Sequence, residues 1–376
     1  MAKSKVYFTD FRTSIGGESM PQKLQRLIKK AGIEKINMER KLVAIKMHFG
    51  ELGNVSYLRP NYAKAVVDVV KELGGVPFLT DCNTLYPGYR KNAIEHLECA
   101  WENGFSPLSA GCPVIIGDGL KGTDDIEVPV DGEYCKTAKI GHAVMDADVF
   151  ISLSHFKGHE EAGFGGCLKN IGMGCGSRAG KADMHKGGQP TINKNKCRGC
   201  KRCQRECANN GLEFDAKTKK MHINKKNCLG CGRCLGACNF DAIRFTEDNA
   251  VSVLTAKIAE YTKAVIQDRE NFHISLIVDV SPYCDCHHEN DAPILPNIGM
   301  FASFDPVALD QACVDACLKA TPFENSVLGD NMKKKGFVDH HDHFKNTTPE
   351  SDWENQLAHG EKIGIGSRNY ELVTIK

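Results

Sequence analysis

The spacing Cys-x2-Cys-x2-Cys-x3-Cys occurs twice within 42 residues, as CRGCKRCQREC (197–207) and CLGCGRCLGAC (228–238). Eight thiols at such intervals commit that stretch of chain to holding something. The opening MAKSKVYFTDF lacks the apolar stretch and small-residue cleavage site of a secretory signal, so a cytoplasmic protein is expected. Disulfides are rare in that compartment, so the 18 cysteines of this 376-residue chain do not read as a disulfide scaffold. Metal ligation is the better account. Zinc sites also use CxxC pairs, but zinc does not require a third cysteine at x2 and a fourth at x3 in both copies.

The doubled tetrad is the run of bacterial two-cluster ferredoxins, in which three cysteines of one tetrad and the last of the other hold each [4Fe–4S] cube. That rule groups Cys197, Cys200, Cys203 and Cys238 around one cube, and Cys228, Cys231, Cys234 and Cys207 around the other. Ala208 and Asn239 stand where a proline usually follows the fourth cysteine, a change that affects a turn and removes no ligand.

Charge follows the tetrads. Residues 190–245 hold thirteen Lys and Arg against four acids, a net +9 that leaves −8 for the rest of the chain. A basic patch often marks a nucleic-acid binder. Here no recognition motif accompanies it, and an all-cysteine cube is itself anionic, so the cations read as compensation for two cubes. They also offer a docking surface for an acidic electron-transfer partner of ferredoxin or flavodoxin type. Nucleic acid and membrane are not expected partners, since no apolar run approaches the ~18 residues of a spanning helix.

Outside this segment, strand-like and helix-like runs alternate. KLVAIKM (41–47), VPFLTD (76–81), DADVFISLSH (146–155) and FHISLIVDV (272–280) read as strands. PNYAKAVVDVVKELGG (60–75) opens on proline, closes on glycines and repeats its apolar residues at helical spacing. Residues 90–104, 252–268 and 305–320 read as further helices. The alternation predicts an α/β body, a mostly parallel sheet with helices on both faces, formed by 1–189 and 247–376. A small α+β ferredoxin-like unit, 190–246, interrupts it. Polar clusters follow four of the strands: HFGELGN, TDCNTLYPGYR, HFKGHEE and SPYCDCHH. Ligands in α/β sheets collect at carboxyl ends of strands, so one shared site is expected there.

Its candidates are named residues. His155, Lys157, His159, Lys169 and Asn170 are the catalytic candidates, with the two lysines suited to a small anionic substrate. The glycines of 158–166 allow close backbone approach, here expected toward a ligand. Cys284 and Cys286, a Cys-x-Cys after a strand, suit a soft metal or redox-active thiols. With at least one of His48, His155 and His159 they would form a third metal site. Each of these residues also has a bland reading, as a turn, an incidental histidine or a buried thiol. Cys313 and Cys317, one helical turn apart, read as core. No G-x-G-x-x-G opens a strand-to-helix unit, so nothing supports a nicotinamide site, whereas flavin motifs are too diverse to read.

Taken together, MHFGE, TDCNTLYPGYR, GDGL, SHFKGHEEAGFGGCLKNIGMGC and SFDPVALDQA resemble the domain-of-unknown-function 362 family, in a form carrying a ferredoxin-type insertion. The resemblance covers nearly the whole chain and implies the α/β core and the two cubes, but no reaction. A more distant similarity, by analogy only, is to lactate-racemase-type α/β proteins, which place histidines and a lysine around a nickel-pincer cofactor.

Three functions are open at this point. One is an iron–sulfur oxidoreductase moving electrons between the cubes and a metal, flavin or substrate site in the body. Another is a non-catalytic electron carrier or metal-delivery protein. The third is a metal-dependent isomerase-like enzyme with structural clusters.

Overall fold

In a strand buried on both sides, successive side chains must serve opposite layers. Val43 and Ile45 enter one core while Ala44 enters another, and Val149, Ile151 and Leu153 divide in the same way from Phe150. These residues belong to a computed structural model that describes residues 3–85, 88–185, 189–205, 207, 209–228, 234, 238, 240, 242–245 and 250–375.

The central sheet has eight strands: β1 (Ser4–Asp10), β2 (Leu42–Lys46), β3 (Val76–Asp81), β4 (Val114–Ile116), β5 (Val149–His155), β6 (Glu270–Ile277), β7 (Gly299–Ser303) and β8 (Tyr370–Thr374). Their order is β8-β1-β7-β6-β5-β2-β3-β4. Every neighbouring pair is parallel except the two that involve β7. The body is thus α/β with a mostly parallel sheet.

On one face lie α1 (Met20–Lys30), α2 (Pro60–Glu72) and α3 (Ala93–Glu102). On the other lie α4 (Cys167–Cys175), α5 (Arg178–His185), α6 (Ala250–Ile266), α7 (Pro306–Leu318) and α8 (Trp353–Lys362). Pro60 occupies the first turn of α2 and Gly74, at φ 79°, follows its end, as the spacing of 60–75 predicts. Cys313 and Cys317 are wholly buried core thiols. Residues 90–92 stay outside α3, whose amino end is capped by Asn92, and this frees Arg90 to turn inward.

The family-like stretch SFDPVALDQA ties two helices together. Asp305 caps α7 itself, accepting from the amides of Val307 and Ala308. Asp310, one turn on, accepts from the Cys167 amide at 2.6 Å and the Leu168 amide at 2.9 Å, capping α4 from a different element. The first turn of α4 is thereby fixed against α7, which sets where Lys169 and Asn170 point.

The inserted segment leaves the body after α5 and returns at α6. Its ends pair as an antiparallel ribbon, Pro190–Ile192 with Ile243–Phe245, and a second ribbon joins Leu212–Asp215 to Lys220–Ile223. A short helix, Arg202–Arg205, completes it. Among the described residues its core is small, with Leu212, Met221, Ala242 and Ile243 packed around Cys197, Cys203 and Cys234. Part of its positive charge is turned inward: Lys194 and Lys220 donate to the carbonyls of Met221 and Cys197, and Lys201 stacks on Phe214. No helix among the described residues is long and apolar enough to cross a membrane.

Candidate active site

From β2 the chain winds outward through β3 and β4, whereas from β5 it winds the other way through β6 and β7. The winding reverses between β2 and β5, and such switch points open a crevice at the carboxyl ends of the strands. A pocket of about 1090 Å³, mouth included, occupies that position. All four polar clusters feed it: Lys46 and His48 from β2, Asp81 and Arg90 from β3, the 155–161 stretch from β5, and 284–287 from β6. The helices α4, α5 and α6 close its sides.

The stretch after β5 is a short antiparallel hairpin, Lys157–His159 with Gly163–Gly165. Its glycines serve protein neighbours, not a ligand as expected. A Cβ on Gly158 would lie 2.5–2.9 Å from the backbone of Pro282, and one on Gly165 would strike the Lys157 ammonium. Gly158 therefore lets the loop carrying Cys284 lie directly against the hairpin.

Cys284 is buried in the wall of this pocket. Its sulfur accepts hydrogen bonds from the Cys286 thiol and from His159. Lys169 Nζ stands 3.9 Å away. The bond from Cys286 holds the Cys284 thiol well below its ordinary pKa, and Lys169, Lys157 and His159 add to it against the effect of burial. Cys286, as the donor, is pushed well above its own. His159 is fixed in one tautomer: Nδ1 accepts from the amides of Glu161 (3.1 Å) and Ala162 (3.0 Å), so the proton sits on Nε2. Burial, then Lys169, pushes its pKa down and keeps the ring neutral.

Behind the thiols lies a network of buried charge. Lys46, 1% exposed, reaches Asp81 Oδ1 at 3.1 Å and Asn170 Oδ1 at 2.9 Å. Arg90 donates to Glu51 at 3.0 Å, and its guanidinium lies 3.0 Å from His48 Nε2. Burial alone would raise Asp81, but Lys46 foremost holds it far below the carboxylate range. Glu160 pairs with His287 at 2.9 Å and is held down to about 2 despite burial. Its neighbour Glu161 goes the other way: burial, then Glu160, pushes it up to about 8, so at neutral pH it carries a proton. One pocket thus holds a thiol whose pKa is lowered, several cations and a protonated carboxyl group.

Residues 43–315 match the family described as Domain of unknown function (DUF362), a span running from β2 through α7 and therefore through every strand that builds the pocket. The chain belongs to that family. Two solved structures are similar to this DUF362 chain. One is a protein from Thermotoga maritima, 10% identical with a TM-score of 0.39, covering 79% of this chain and 57% of its own. The other is the lactate racemase apoprotein from Thermoanaerobacterium thermosaccharolyticum, 12% identical with a TM-score of 0.43, covering 99% and 82%. This chain thus spans little more than half of the Thermotoga maritima protein. No curated protein matches.

In this DUF362 pocket the five catalytic candidates, His155, Lys157, His159, Lys169 and Asn170, all line the wall. Their roles differ from those expected. His155 has both ring nitrogens engaged, Nδ1 with Asp285 (2.8 Å) and Nε2 with the Val278 carbonyl (2.6 Å), so it braces the two loops. Asn170 orients Lys46 and the ends of β2 and β5. The third metal site, expected from Cys284 and Cys286 with one of His48, His155 and His159, is not assembled. Among the described residues no group of three or more His, Cys, Asp or Glu side chains is arranged to hold a metal ion. His48 accepts the Gly50 amide on Nδ1 (2.9 Å), which leaves the ring proton on Nε2 beside Arg90, His155 is engaged at both nitrogens, and the Nε2 of His159 carries a proton. No histidine lone pair is left for the metal.

Sequence reasoning passed over Lys46, Arg90, Glu160, Glu161 and Lys181. Glu160 and Glu161 stood in a quoted cluster, and their adjacency was a usable signal, because two neighbouring acids cannot both stay ionised cheaply once buried. Lys46 sits inside a strand-like apolar run, and nothing in the sequence marks it as buried.

In the insert, several of the described thiols lie near one another. Burial, then the neighbouring Cys238, Cys200 and Cys197, push the Cys203 thiol up to about 11. Gly211 touches both Cys207 and Cys228, whose sulfur and Cα would lie 3.4 and 3.1 Å from a Cβ there. Backbone amides of Met221, Gly211 and Ala242 point at the sulfurs of Cys197, Cys207 and Cys238 at 3.5, 3.1 and 3.4 Å. Cys231 lies outside the described residues.

Proposed function

We propose that this DUF362 protein is an iron–sulfur oxidoreductase acting on a small anionic substrate in the pocket between β2 and β5. The observation that carries this reading is the Cys284 sulfur flanked by Lys157 and Lys169 at the switch point of the sheet. An electron carrier without chemistry has no use for a stabilised thiolate beside a protonated Glu161.

The insert's donor set fits two cubes. Thiols from both tetrads meet around Cys203 and at Gly211, and amide N–H groups aimed at sulfur are the outer contacts that tune such clusters. An insert with so small a core also needs a staple to hold its fold. Cys197, Cys200, Cys203 and Cys238 would hold one cube, and Cys228, Cys231, Cys234 and Cys207 the other. When bound, the cubes supply one-electron transfers. The chain leaves and re-enters the body through α5 and α6, and His185, Leu254 and Ile258 of those helices line the pocket. The basic outer surface would meet an acidic ferredoxin or flavodoxin, in the cytoplasm, where the 17 described thiols, none of them in a disulfide, would stay reduced.

Anaerobically purified protein is expected to contain close to eight irons and eight acid-labile sulfides per chain, the content of two [4Fe–4S] cubes. Cys207→Ser should damage the cube built on Cys228, Cys231 and Cys234. Zinc in place of iron, without labile sulfide after anaerobic reconstitution, would overturn the reading. Loss confined to the other cube would overturn the crossed assignment.

A further inference from the structure

Two thiols two residues apart, already in hydrogen-bond contact, need little movement to become one bond. We infer that Cys284 and Cys286 form a thiol–disulfide couple, Cys284 attacking and Cys286 resolving, that reduces small anionic disulfides in this pocket. The inference deepens the reading above by naming the reacting group and the substrate class.

Four features of the geometry point the same way. Cys284 and Cys286 stand two residues apart on one loop, line the same pocket and share a side-chain hydrogen bond. The Cys284 loop is held firmly: its amide donates to Glu160 Oε1 at 3.3 Å, Ser281 Oγ bonds the Tyr283 carbonyl at 2.7 Å, and Pro282 lies against Gly158. His159 can only donate through Nε2, which makes it a partner for sulfur anions and neither a base nor a metal ligand. Lys157 and Lys169 flank the sulfur and would meet the carboxylates of an incoming disulfide. A soft metal would need lone pairs that the neighbouring histidines do not have.

The chemistry balances without a metal. The Cys284 thiolate attacks one sulfur of R–S–S–R′, forming Cys284–S–S–R and expelling R′–S⁻. Glu161 lies in the same wall, with Oε1 lacking a hydrogen-bond partner among the described residues, and gives its proton to that thiolate. Cys286 then yields its proton to Glu161 and attacks the Cys284 sulfur. An internal disulfide forms and R–S⁻ leaves, to be protonated by solvent. Two electrons pass from the dithiol to the substrate. Return to the thiolate–thiol pair takes two electrons and one proton from an external dithiol, whose second proton goes to solvent.

The test uses the full chain, prepared anaerobically, reduced with dithiothreitol and desalted. It is mixed with 3,3′-dithiodipropionate or with cystamine, disulfides of similar size and opposite charge. The anionic disulfide is expected to react roughly tenfold faster or more, since a cationic cleft concentrates anions. Peptide mapping by mass spectrometry should then find a Cys284–Cys286 linkage at one per chain. In Cys286→Ser the reaction should stop at a mixed disulfide on Cys284, and in Cys284→Ser the Cys286 thiol should remain unmodified over the same time. Equal rates for the two probes, no linkage in the wild-type chain, or a stoichiometric metal retained by Cys284 and Cys286 would each overturn the proposal. Circular dichroism of both variants separates misfolding from lost chemistry. Missing iron would overturn only the earlier reading, whereas missing exchange with full iron content would overturn only this one.

Discussion

Lys46→Met is expected to destabilise the body by about 3–5 kcal/mol, because removing one partner of a buried pair strands the other. The stranded group is Asp81, whose cationic neighbour Arg90 is more distant, Nη1 at 3.9 Å, and whose other neighbour, His96 Nε2 at 3.8 Å, is neutral because burial pushes its pKa down. Asn170 would also lose the ammonium that anchors its Oδ1, so the amino-terminal turn of α4, with Lys169, should loosen. Asp81→Asn in the same chain removes the stranded charge, so the double variant should recover part of the loss, a non-additivity expected only for groups in contact. Differential scanning calorimetry on wild-type, both single variants and the double would read this. A Lys46→Met protein within about 1 kcal/mol of wild-type would contradict the burial argument, since that is the range of exposed pairs.

The second large effect is on acid stability. Burial pushes the pKa values of His48, His96, His185 and His273 down, to about 3 for all but His96, and lowers His159 as well. In the unfolded chain they bind protons near 6.5, so between roughly 6.5 and 3 unfolding takes up four protons, with His159 adding to them in the upper part of that range. Each costs about 1.4 kcal/mol of stability per pH unit as pH falls, the four together about 5.5. Two carboxyl groups oppose this. Burial pushes Glu161 up to about 8 and Asp310 to about 7. Their contribution is complete below their unfolded pKa values, near 4, and is lost as pH rises through the folded ones.

The net expectation is a bend. Between about pH 6.5 and 4.5 the carboxyl groups offset half of the histidine effect, leaving about two protons and a slope near 3 kcal/mol per unit. Below about 4.5 the full slope near 5.5 kcal/mol per unit emerges. Glu160 and Asp285, both depressed in the fold, then add to it as pH falls toward 2. Hydrogen-exchange protection of β5 and β6 amides, corrected for intrinsic rate, would show the bend. A slope as steep at pH 6 as at pH 4, or no loss down to pH 3.5, would show that these side chains are not buried as described.

The elements that sequence alone determined are those set by local geometry. The Pro60-to-Gly74 helix was legible because a fixed φ at one end and a left-handed residue at the other are properties of those residues themselves. The four strands were legible because apolar β-formers gather in short runs, and their polar successors had to share one edge once the sheet was parallel. The tetrads were legible because ligand spacing is written in the chain. What tertiary structure decided was the role of each polar group. His155, His159 and His48 carry the same imidazole, yet Asp285 binds the first from 130 residues away, backbone amides two and three residues on cap the second, and Arg90 stands against the third. Lys46 looked like one more residue of a strand until Asp81 and Asn170, 124 residues distant in the latter case, closed around it. The reason is that a titratable side chain takes its function from the donors, acceptors and charges within a few ångströms, and in a switch-point pocket most of those arrive from other strands.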